Sequence, residues 1–463
     1  MYSVPTPFSI GGLPSQPSRV AIVGSGIAGL AAAHSLRGLA ELTLFEAGDY
    51  FGGHTHTVDL QLPDAAGRPV HFGVDTGFLV LNERTYPGLL DLFTQLQVPL
   101  APSDMSFSVQ APGAGPGGTA LEWSGSDLAG VFAQRANLVN PRFWRMLADI
   151  LRFNRLTTRL AQRRDDLGTD SPLLEPLGDF LVRHRFSAAF RDWYFLPMMG
   201  CIWSCPTDQM LRFPVATMVR FCHNHGLIQV MDRPQWYTVA GGARQYVEKI
   251  VSAIPDRRLN SPVRRLLRNG QGVQVVTDRG SERFDAVVMA CHSDQALDIL
   301  GDQATPEERA VLGAVRYQPN RAVLHTDASV LPQRPQAWAA WNYEAGTAPG
   351  EPRICLHYLL NKLQPLPVRT PVIVSLNPQR PIDPARIVGA YAYAHPVFDL
   401  AAIRAQKRMA MLQGQHHTWY AGAWMGYGFH EDGLQAGQRA ARELALENDL
   451  IPRHAAAPAQ AGA

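Results

Sequence analysis

Between an apolar run at residues 19–23 and an alanine-rich run at residues 27–37, the chain carries Gly24-Ser25-Gly26-Ile27-Ala28-Gly29. A glycine turn in that position commits the segment to a strand, a tight turn and a helix. A second apolar run at residues 42–46 completes a β-turn-α-β unit of ordinary length. The first glycine permits the turn, the second lets backbone amides approach a pyrophosphate, and the third allows close helix–strand packing. The helix N-terminus adds unpaired N–H groups and a positive dipole. Glu46, 17 residues after Gly29, closes the second run, where a carboxylate can accept hydrogen bonds from ribose hydroxyls. That acid favours FAD or NAD over NADP. A glycine turn with no ligand is the alternative, and strand, glycines, helix and acid together weigh against it.

The rest of the chain is large enough to build around this unit. At roughly 150 residues per domain, 463 residues make two or three folding units. Hydrophobic residues at 46% and charged residues at 18% support a large buried core. With 42 basic and 40 acidic residues the formal charge is +2, which excludes nucleic acid as the default partner. Five cysteines, an odd number in a long chain, do not make a disulfide framework. Residues 1–18 have no basic segment followed by an apolar one, so no signal peptide is expected. Residues 20–33 are apolar but interrupted by Gly24, Ser25, Gly26 and Gly29, and are too short for a membrane span. A cytoplasmic protein is expected, with flexible tails at residues 1–17 and 455–463.

Further elements follow from periodicity and turn residues. Residues 111–119 form a Gly/Pro loop, expected at the tip of a hairpin between 105–110 and 120–123. Residues 272–277 and 284–290 read as paired strands joined at Asp278-Arg279-Gly280, with a further strand at 372–376 and a final helix at 433–447. Residues 143–160 have helical periodicity, with Trp144, Leu147 and Leu151 on one face and seven arginines between Arg142 and Arg164. The side carrying Phe143, Trp144, Leu147, Ile150 and Leu151 suits an interfacial helix on anionic lipid. It suits equally a core helix with a solvated basic face.

Past Glu46, the stretch Ala47-Gly48-Asp49-Tyr50-Phe51-Gly52-Gly53-His54-Thr55 brings a second glycine pair. It resembles the flavin-containing amine oxidase and phytoene desaturase superfamily, in which a Gly-Gly-Arg-like segment flanks the FAD phosphates; His54 stands where arginine is commoner. Ser261-Pro262-Val263 resembles the segment whose valine backbone meets the adenine. Trp419-Tyr420-Ala421-Gly422-Ala423 and Gly428-Phe429-His430-Glu431-Asp432-Gly433-Leu434 resemble the closing flavin motif, with Ala423 where an acid is usual. There a helix N-terminus points at the flavin pyrimidine and ribityl chain. The resemblance implies FAD, held by Gly24, Ser25, Gly26, Ile27, Ala28, Gly29, Glu46, Ala47, Gly52, Gly53, His54, Thr55, Thr76, Gly77, Val263, Gly422, Asp432, Gly433 and Leu434. It implies an α/β, amine-oxidase-like fold: a discontinuous Rossmann-type FAD-binding domain (18–82, 235–300 and 415–450) and a mixed-sheet substrate domain with helices (83–234 and 301–414).

A narrower resemblance covers nearly the whole folded chain. Gly52-Gly53-His54-Thr55, Val74-Asp75-Thr76-Gly77-Phe78-Leu79-Val80-Leu81-Asn82, Thr85-Tyr86-Pro87, Ser103-Asp104-Met105-Ser106-Phe107-Ser108-Val109, Ile202-Trp203-Ser204, Leu360-Asn361-Lys362-Leu363-Gln364 and Gly426-Tyr427-Gly428-Phe429-His430 look like a bacterial group of FAD/NAD-binding proteins. Their genes often sit beside cyclopropane-fatty-acid-synthase-like methyltransferases, and a similar protein of furan fatty acid biosynthesis is a desaturase of phospholipid-bound acyl chains. The resemblance implies dehydrogenation of a phospholipid-bound unsaturated acyl chain by hydride transfer to flavin N5. It also implies peripheral contact with the inner membrane and a lipid methyltransferase partner. The alternatives are a flavin amine oxidase and a flavin-bound, non-catalytic partner of the methyltransferase.

His430 is the candidate for proton handling, against a reading in which Asp432 caps the last helix and His430 packs nearby. Lys362, one of three lysines, is a second candidate, because amine oxidases of the superfamily hold a water near N5 with a lysine; a surface lysine is the alternative. An amine oxidase needs an aromatic cage, and Trp203, Tyr391, Tyr393, Trp419 and Tyr420 are the aromatics on offer. Cys201, Cys205, Cys222, His223 and His225 have spacing compatible with zinc, but the apolar surroundings favour core, and no metal is expected. His395 and the pair His416-His417 stand alone.

Overall fold

The computed structural model describes residues 18–161, 175–203, 207–226, 234–346 and 354–450; both expected tails, Cys205, Arg163, Arg164 and Ser204 lie outside these. Strand β1 (Arg19–Val23) passes through the glycine turn into helix α1 (Ile27–Leu36), and strand β2 (Glu41–Phe45) returns beside β1 in parallel. Strand β3 (Ala286–Met289) pairs with the other edge of β1, and Asp256–Arg258 and Thr418–Tyr420 complete a five-stranded parallel sheet. One layer is thus assembled from four distant parts of the chain. Its inner strands are buried and largely apolar, as a parallel sheet covered on both faces requires, while the edge strand Asp256–Arg258 is charged and partly exposed.

The strand pairing at 272–290 differs from expectation. Gly272–Thr277 pairs with Gly280–Phe284, and β3 leaves the hairpin for the central sheet. The turn at Asp278-Arg279 sends the chain straight back, so the pairing is used up by Phe284. Asp285 then bonds both ways with the Arg19 backbone and redirects the chain, and Ala286–Met289, wholly apolar and buried, suits a central parallel strand.

The second layer is a seven-stranded sheet. From one edge it runs Ile387–Val397 (β4), Arg316–His325, Ile373–Leu376, Cys355–Leu359, Trp341–Glu344, Phe107–Ala111 and Leu121–Ser124. The last two strands form the expected hairpin around the Gly/Pro loop. Helices cover it: α2 (Pro141–Ala161), a π-helical turn Arg191–Phe195 running into helix Leu196–Trp203, and Val215–Asn224. Phe143, Phe153, Phe195, Met199, Trp203 and Phe221 fill the core between them. The face of α2 is rotated from expectation. Phe143, Met146, Asp149, Phe153, Asn154 and Thr157 are buried, whereas Trp144 and Leu151 are exposed. Asp149 draws its side inward because it bonds the Ser187 N–H at 3.0 Å while bridging two arginines of its own helix.

The closing helix α3 (His430–Glu447) joins the layers. It begins three residues earlier than its apolar pattern, because the Asp432 carboxylate accepts the Phe429 N–H at 2.9 Å and caps the first turn. A Cβ on Gly437 would lie 2.1 Å from the Ala28 carbonyl oxygen, and one on Gly433 2.7 Å from Ile27 Cγ2. These glycines let α3 lie directly on α1 in the same sense, with both N-termini at one end.

Candidate active site

The turn after β1 has the geometry its glycines demand. Gly24 has φ +102°, and a Cβ there would sit 2.8 Å from Ala290 O; one on Gly29 would sit 1.9 Å from Gly24 O. At Gly26 the same addition meets nothing within 4 Å, so this residue borders open space. No side chain caps α1, whose first N–H groups face that space. Ile27 and Ala28 are buried behind the turn.

Glu46, just past β2, accepts hydrogen bonds from Ser25 N–H at 3.0 Å, Ser25 Oγ–H and Gly48 N–H at 2.8 Å. Ser25 Oγ in turn accepts Gly52 N–H at 3.1 Å, tying the two glycine segments together. A carboxylate offers about four acceptor positions, and with three taken one remains for a ribose hydroxyl. Ala47 is exposed beside it. Ser261 N–H donates to the Glu46 carbonyl at 2.8 Å, which sets Val263 two residues from the acid's backbone.

Past Gly53, His54 opens a ring of histidines. Its ring stacks on Tyr393 at 5.0 Å and lies 5.4 Å from His395 and 6.3 Å from His292. His292 follows the carboxyl end of β3, while Tyr393 and His395 project from β4, so three separate segments meet here. Burial and the neighbouring ring hold each one uncharged: His54 and His292 are pushed down to about 4, His395 to about 3. His54 Nε2 is enclosed without a partner. Thr76 hydroxyl bonds Tyr393 OH at 2.7 Å, and Gly77 passes so near the His54 carbonyl, 2.2 Å from a built Cβ, that no side chain fits.

His430, first residue of α3, shares Nε2 with Thr55 Oγ1 at 2.9 Å and Tyr246 OH at 3.3 Å, and stacks on Phe78 at 3.7 Å. Burial, then the nearby His54 ring, pushes it down to about 3. Glu431 faces away and accepts Gly88 and Leu89 N–H groups at the start of helix Pro87–Gln95. Asp432, pushed up to about 6 by burial, is committed to the Phe429 cap, and Leu434 lies wholly in the core. Gly422 precedes this turn in extended backbone.

A family described as flavin containing amine oxidoreductase matches residues 27–347. The chain belongs to that family. A Mycobacterium tuberculosis protein, AofH, provisionally described as a flavin-containing monoamine oxidase, is 26% identical over 303 residues, 62% of this chain and 60% of that protein. The chain therefore spans about 60% of the length of the curated relatives it matches. Cyclohexylamine oxidase from Brevibacterium oxydans superposes with a TM-score of 0.64 at 19% identity, covering 94% of this chain and 100% of that one. A CLA-producing fatty acid isomerase from P. acnes superposes with a TM-score of 0.62 at 16% identity, covering 93% and 99%. At such identities these two establish the amine-oxidase-like fold.

The family's cofactor is FAD, and the residues present fit it. The open side of Gly26 and the uncapped end of α1 leave donors for phosphates, and His54, with an unpartnered Nε2, follows Gly53, which packs against Gly26. His292 and His395 were not legible as part of this site. Their only sequence signals are a position just after a buried strand and the alternation Tyr391, Tyr393, His395 along β4.

Other candidates separate. Lys362 Nζ pairs with Asp104 at 3.5 Å, and its side chain is 38% exposed, as in a surface ion pair. The five aromatics do not form one cage: Trp419 and Tyr420 are buried in the nucleotide layer, Trp203 lies among the helices over the seven-stranded sheet, and Tyr391 and Tyr393 line the histidine ring. Cys201 and Cys222 are buried, and His225 stacks on Phe221 at 3.9 Å. Among the described residues, ligand-type atoms gather instead at Glu344, Cys355 and His357 on the seven-stranded sheet. There His357 bonds Glu344 at 3.0 Å and Ser375 at 2.6 Å, and Arg380 pairs with Glu344 at 2.7 Å, so His357 and Glu344 are already engaged.

Proposed function

We propose that the chain is an FAD-dependent oxidoreductase that dehydrogenates the unsaturated acyl chain of a phospholipid. The observation that carries this reading is the wall beside the start of α3. Phe429 stacks on Phe221 at 4.8 Å, and Trp203 Nε1 reaches Tyr427 O at 3.4 Å. Phe195, Met198, Met199 and Phe213 continue it as buried side chains. Cys201, Cys222 and His225, packed among these rings, are all held uncharged by burial. Tyr427 and Phe429, half-buried, are the part of this wall with surface left to cover, which favours an apolar chain at about 25 cal/mol per Å² and penalises a charged group. The narrower resemblance to lipid-associated flavoproteins points the same way, with a lipid methyltransferase as the implied partner. A fatty acid isomerase shares this fold, which supports the reading.

When bound, FAD supplies the hydride acceptor at N5. Forming a double bond removes a hydride from one carbon and a proton from its neighbour, and water takes that proton. His430 is neutral and anchored by Thr55 and Tyr246, which supports an orienting role at the end of α3. Thr55, Tyr246 and Phe78 fix its ring, while the apolar wall excludes bulk water. Turnover then needs an electron acceptor such as dioxygen.

Anaerobic mixing with phospholipids bearing monounsaturated chains, beside a panel of amines, tests the reading. Bleaching by lipid with a new diene in the product supports it; bleaching by amines alone replaces it. Amine oxidation is the second reading. The family, the relative AofH and the tyrosines Tyr391 and Tyr393 beside His54 and His56 favour it.

A further inference from the structure

Helix α2 turns an unusual face outward. Trp144 and Leu151, two turns apart, are each 49% exposed, and the preceding turn adds Leu138 at 50% and Val139 at 84%. Trp144 Nε1 donates to Leu138 O at 2.9 Å, and its ring lies 5.6 Å from Phe132, so these apolar groups are held as one ridge. Beside the ridge runs a stripe of Arg145, Arg152, Arg155 and Arg159, which helical spacing places on adjoining turns. The one acid of the helix, Asp149, is buried at the inner edge of this stripe, bridging Arg145 and Arg152. Among the described residues, Arg155 and Arg159 have no ion-pair partner. The nearby acids Glu175 and Asp192 are paired with Arg183 and Arg191.

The stripe also walls a cavity. Arg152, Arg155, Arg159 and His184 surround a space of about 380 Å³ floored by Leu156 and Phe186. Arg152 lies over the Phe186 ring at 4.2 Å, which fixes its guanidinium at the rim. Cationic sides on an apolar floor match the chemistry of a phosphodiester carrying hydrocarbon. The buried side of α2 belongs to the apolar core that reaches Trp203 and Phe429 at the start of α3: Phe153 packs on Phe195 at 4.9 Å, and Trp203 on Phe221 at 4.6 Å.

We propose that this face docks on a bilayer of anionic phospholipids, with Leu138, Val139, Trp144 and Leu151 entering the interface and Arg155 and Arg159 meeting headgroup phosphates. Charge complementarity selects this occupant: an apolar ridge flanked by arginines, with no unpaired acid on the helix among the described residues, is the pattern of interfacial helices. No described helix is long and apolar enough to cross a membrane. Docking rests on the lipid reading above only for its purpose, because it would bring the apolar core to the side from which acyl chains arrive.

The experiment is cosedimentation of the FAD-loaded protein with phosphatidylglycerol vesicles and with phosphatidylcholine vesicles. Binding is expected to the anionic vesicles alone, and to weaken from 0.1 M to 1 M salt, on the order of the fall in Debye length. Arg155→Gln with Arg159→Gln should lower partitioning roughly 25-fold, about fivefold per arginine. Trp144→Ser with Leu151→Ser should abolish it, while flavin content and thermal midpoint stay unchanged because both side chains are outside the core. Failure of the native protein to sediment, or native-like sedimentation of both variants, overturns the proposal. So does release by millimolar glycerol phosphate, which would mark a site for free anions. Anaerobic bleaching by detergent-dispersed lipid separates the two ideas: vesicle binding without bleaching leaves docking standing and removes the lipid reaction.

Discussion

Gly53 lies against Gly26: a Cβ on Gly53 would sit 3.1 Å from the Gly26 Cα, whereas one on Gly26 would meet nothing within 4 Å. The two glycines therefore serve different ends. Gly53, at φ +58°, lets the second turn close on the first. Gly26 keeps the groove between them clear.

Substitution separates these roles. Gly26→Ala should fold with an unchanged apoprotein midpoint, because its φ of −63° suits any residue, yet lose FAD affinity by at least tenfold. Gly53→Ala should cost about 1 kcal/mol of stability as well as FAD. Thermal melts of apoprotein and the ratio of flavin to protein absorbance check both. A fully loaded Gly26→Ala protein would remove the phosphates from this groove.

Glu46→Ala removes the acceptor for Ser25 and Gly48 as well as for ribose. The expected loss in FAD affinity is about 1.5–3 kcal/mol, the scale of a hydrogen bond to a charged group. Titration of apoprotein by flavin fluorescence measures it, and Glu46→Gln should recover part.

His430 stays neutral down to about pH 3. A positioning role predicts that His430→Ala slows anaerobic flavin reduction by less than tenfold and leaves its pH profile unmoved. The midpoint should fall through the lost Thr55 bond and Phe78 stack, and His430→Gln should restore part of it. A loss beyond about 10²-fold is the size expected of a proton acceptor and would make His430 the base.

Acid should destabilise the apoprotein. His54, His225, His292 and His325 are pushed to about 4, and His395 and His430 to about 3, below the ordinary 6.5. Depressed histidines take up protons more readily when unfolded, so the stability they permit is present above pH 6.5 and is lost as pH falls toward 4 and 3. Asp75 and Asp432, raised to about 6, act oppositely between 6 and their ordinary 3.8. The net slope is therefore steepest at roughly pH 5.5, where the unfolded histidines are almost fully protonated and the folded ones are not. Melting apoprotein in half-unit steps from pH 7.5 to 4.5 checks it; a midpoint rising with acid would contradict the buried ring.

Glu308 and Arg268 form a buried pair to which Tyr420 also donates. Glu308→Ala strands the guanidinium and should cost about 3–5 kcal/mol, visible as a large drop in midpoint without change in the histidine ring.

Local chemistry determined the β1-turn-α1-β2 unit, because glycine spacing, apolar runs and the ribose acid act within one short stretch of chain. The turn after β1 and the hairpin at 107–124 were legible for the same reason, whereas α3 starts three residues ahead of its apolar pattern because Asp432 caps it. What only the tertiary structure decided depends on which distant segments pack together. β3 left its hairpin because a doubly buried place beside β1 was available, which the strand pattern alone does not reveal. Likewise, α2 has apolar residues on more than one side, so periodicity could not say whether Phe143 or Trp144 would be covered; the Asp149–Ser187 bond and the aromatic core chose Phe143. The histidine ring shows this most plainly. His54, His292 and His395 carry no shared local signal, and they meet because β3 pairs with β1 and β4 lies over the second glycine turn.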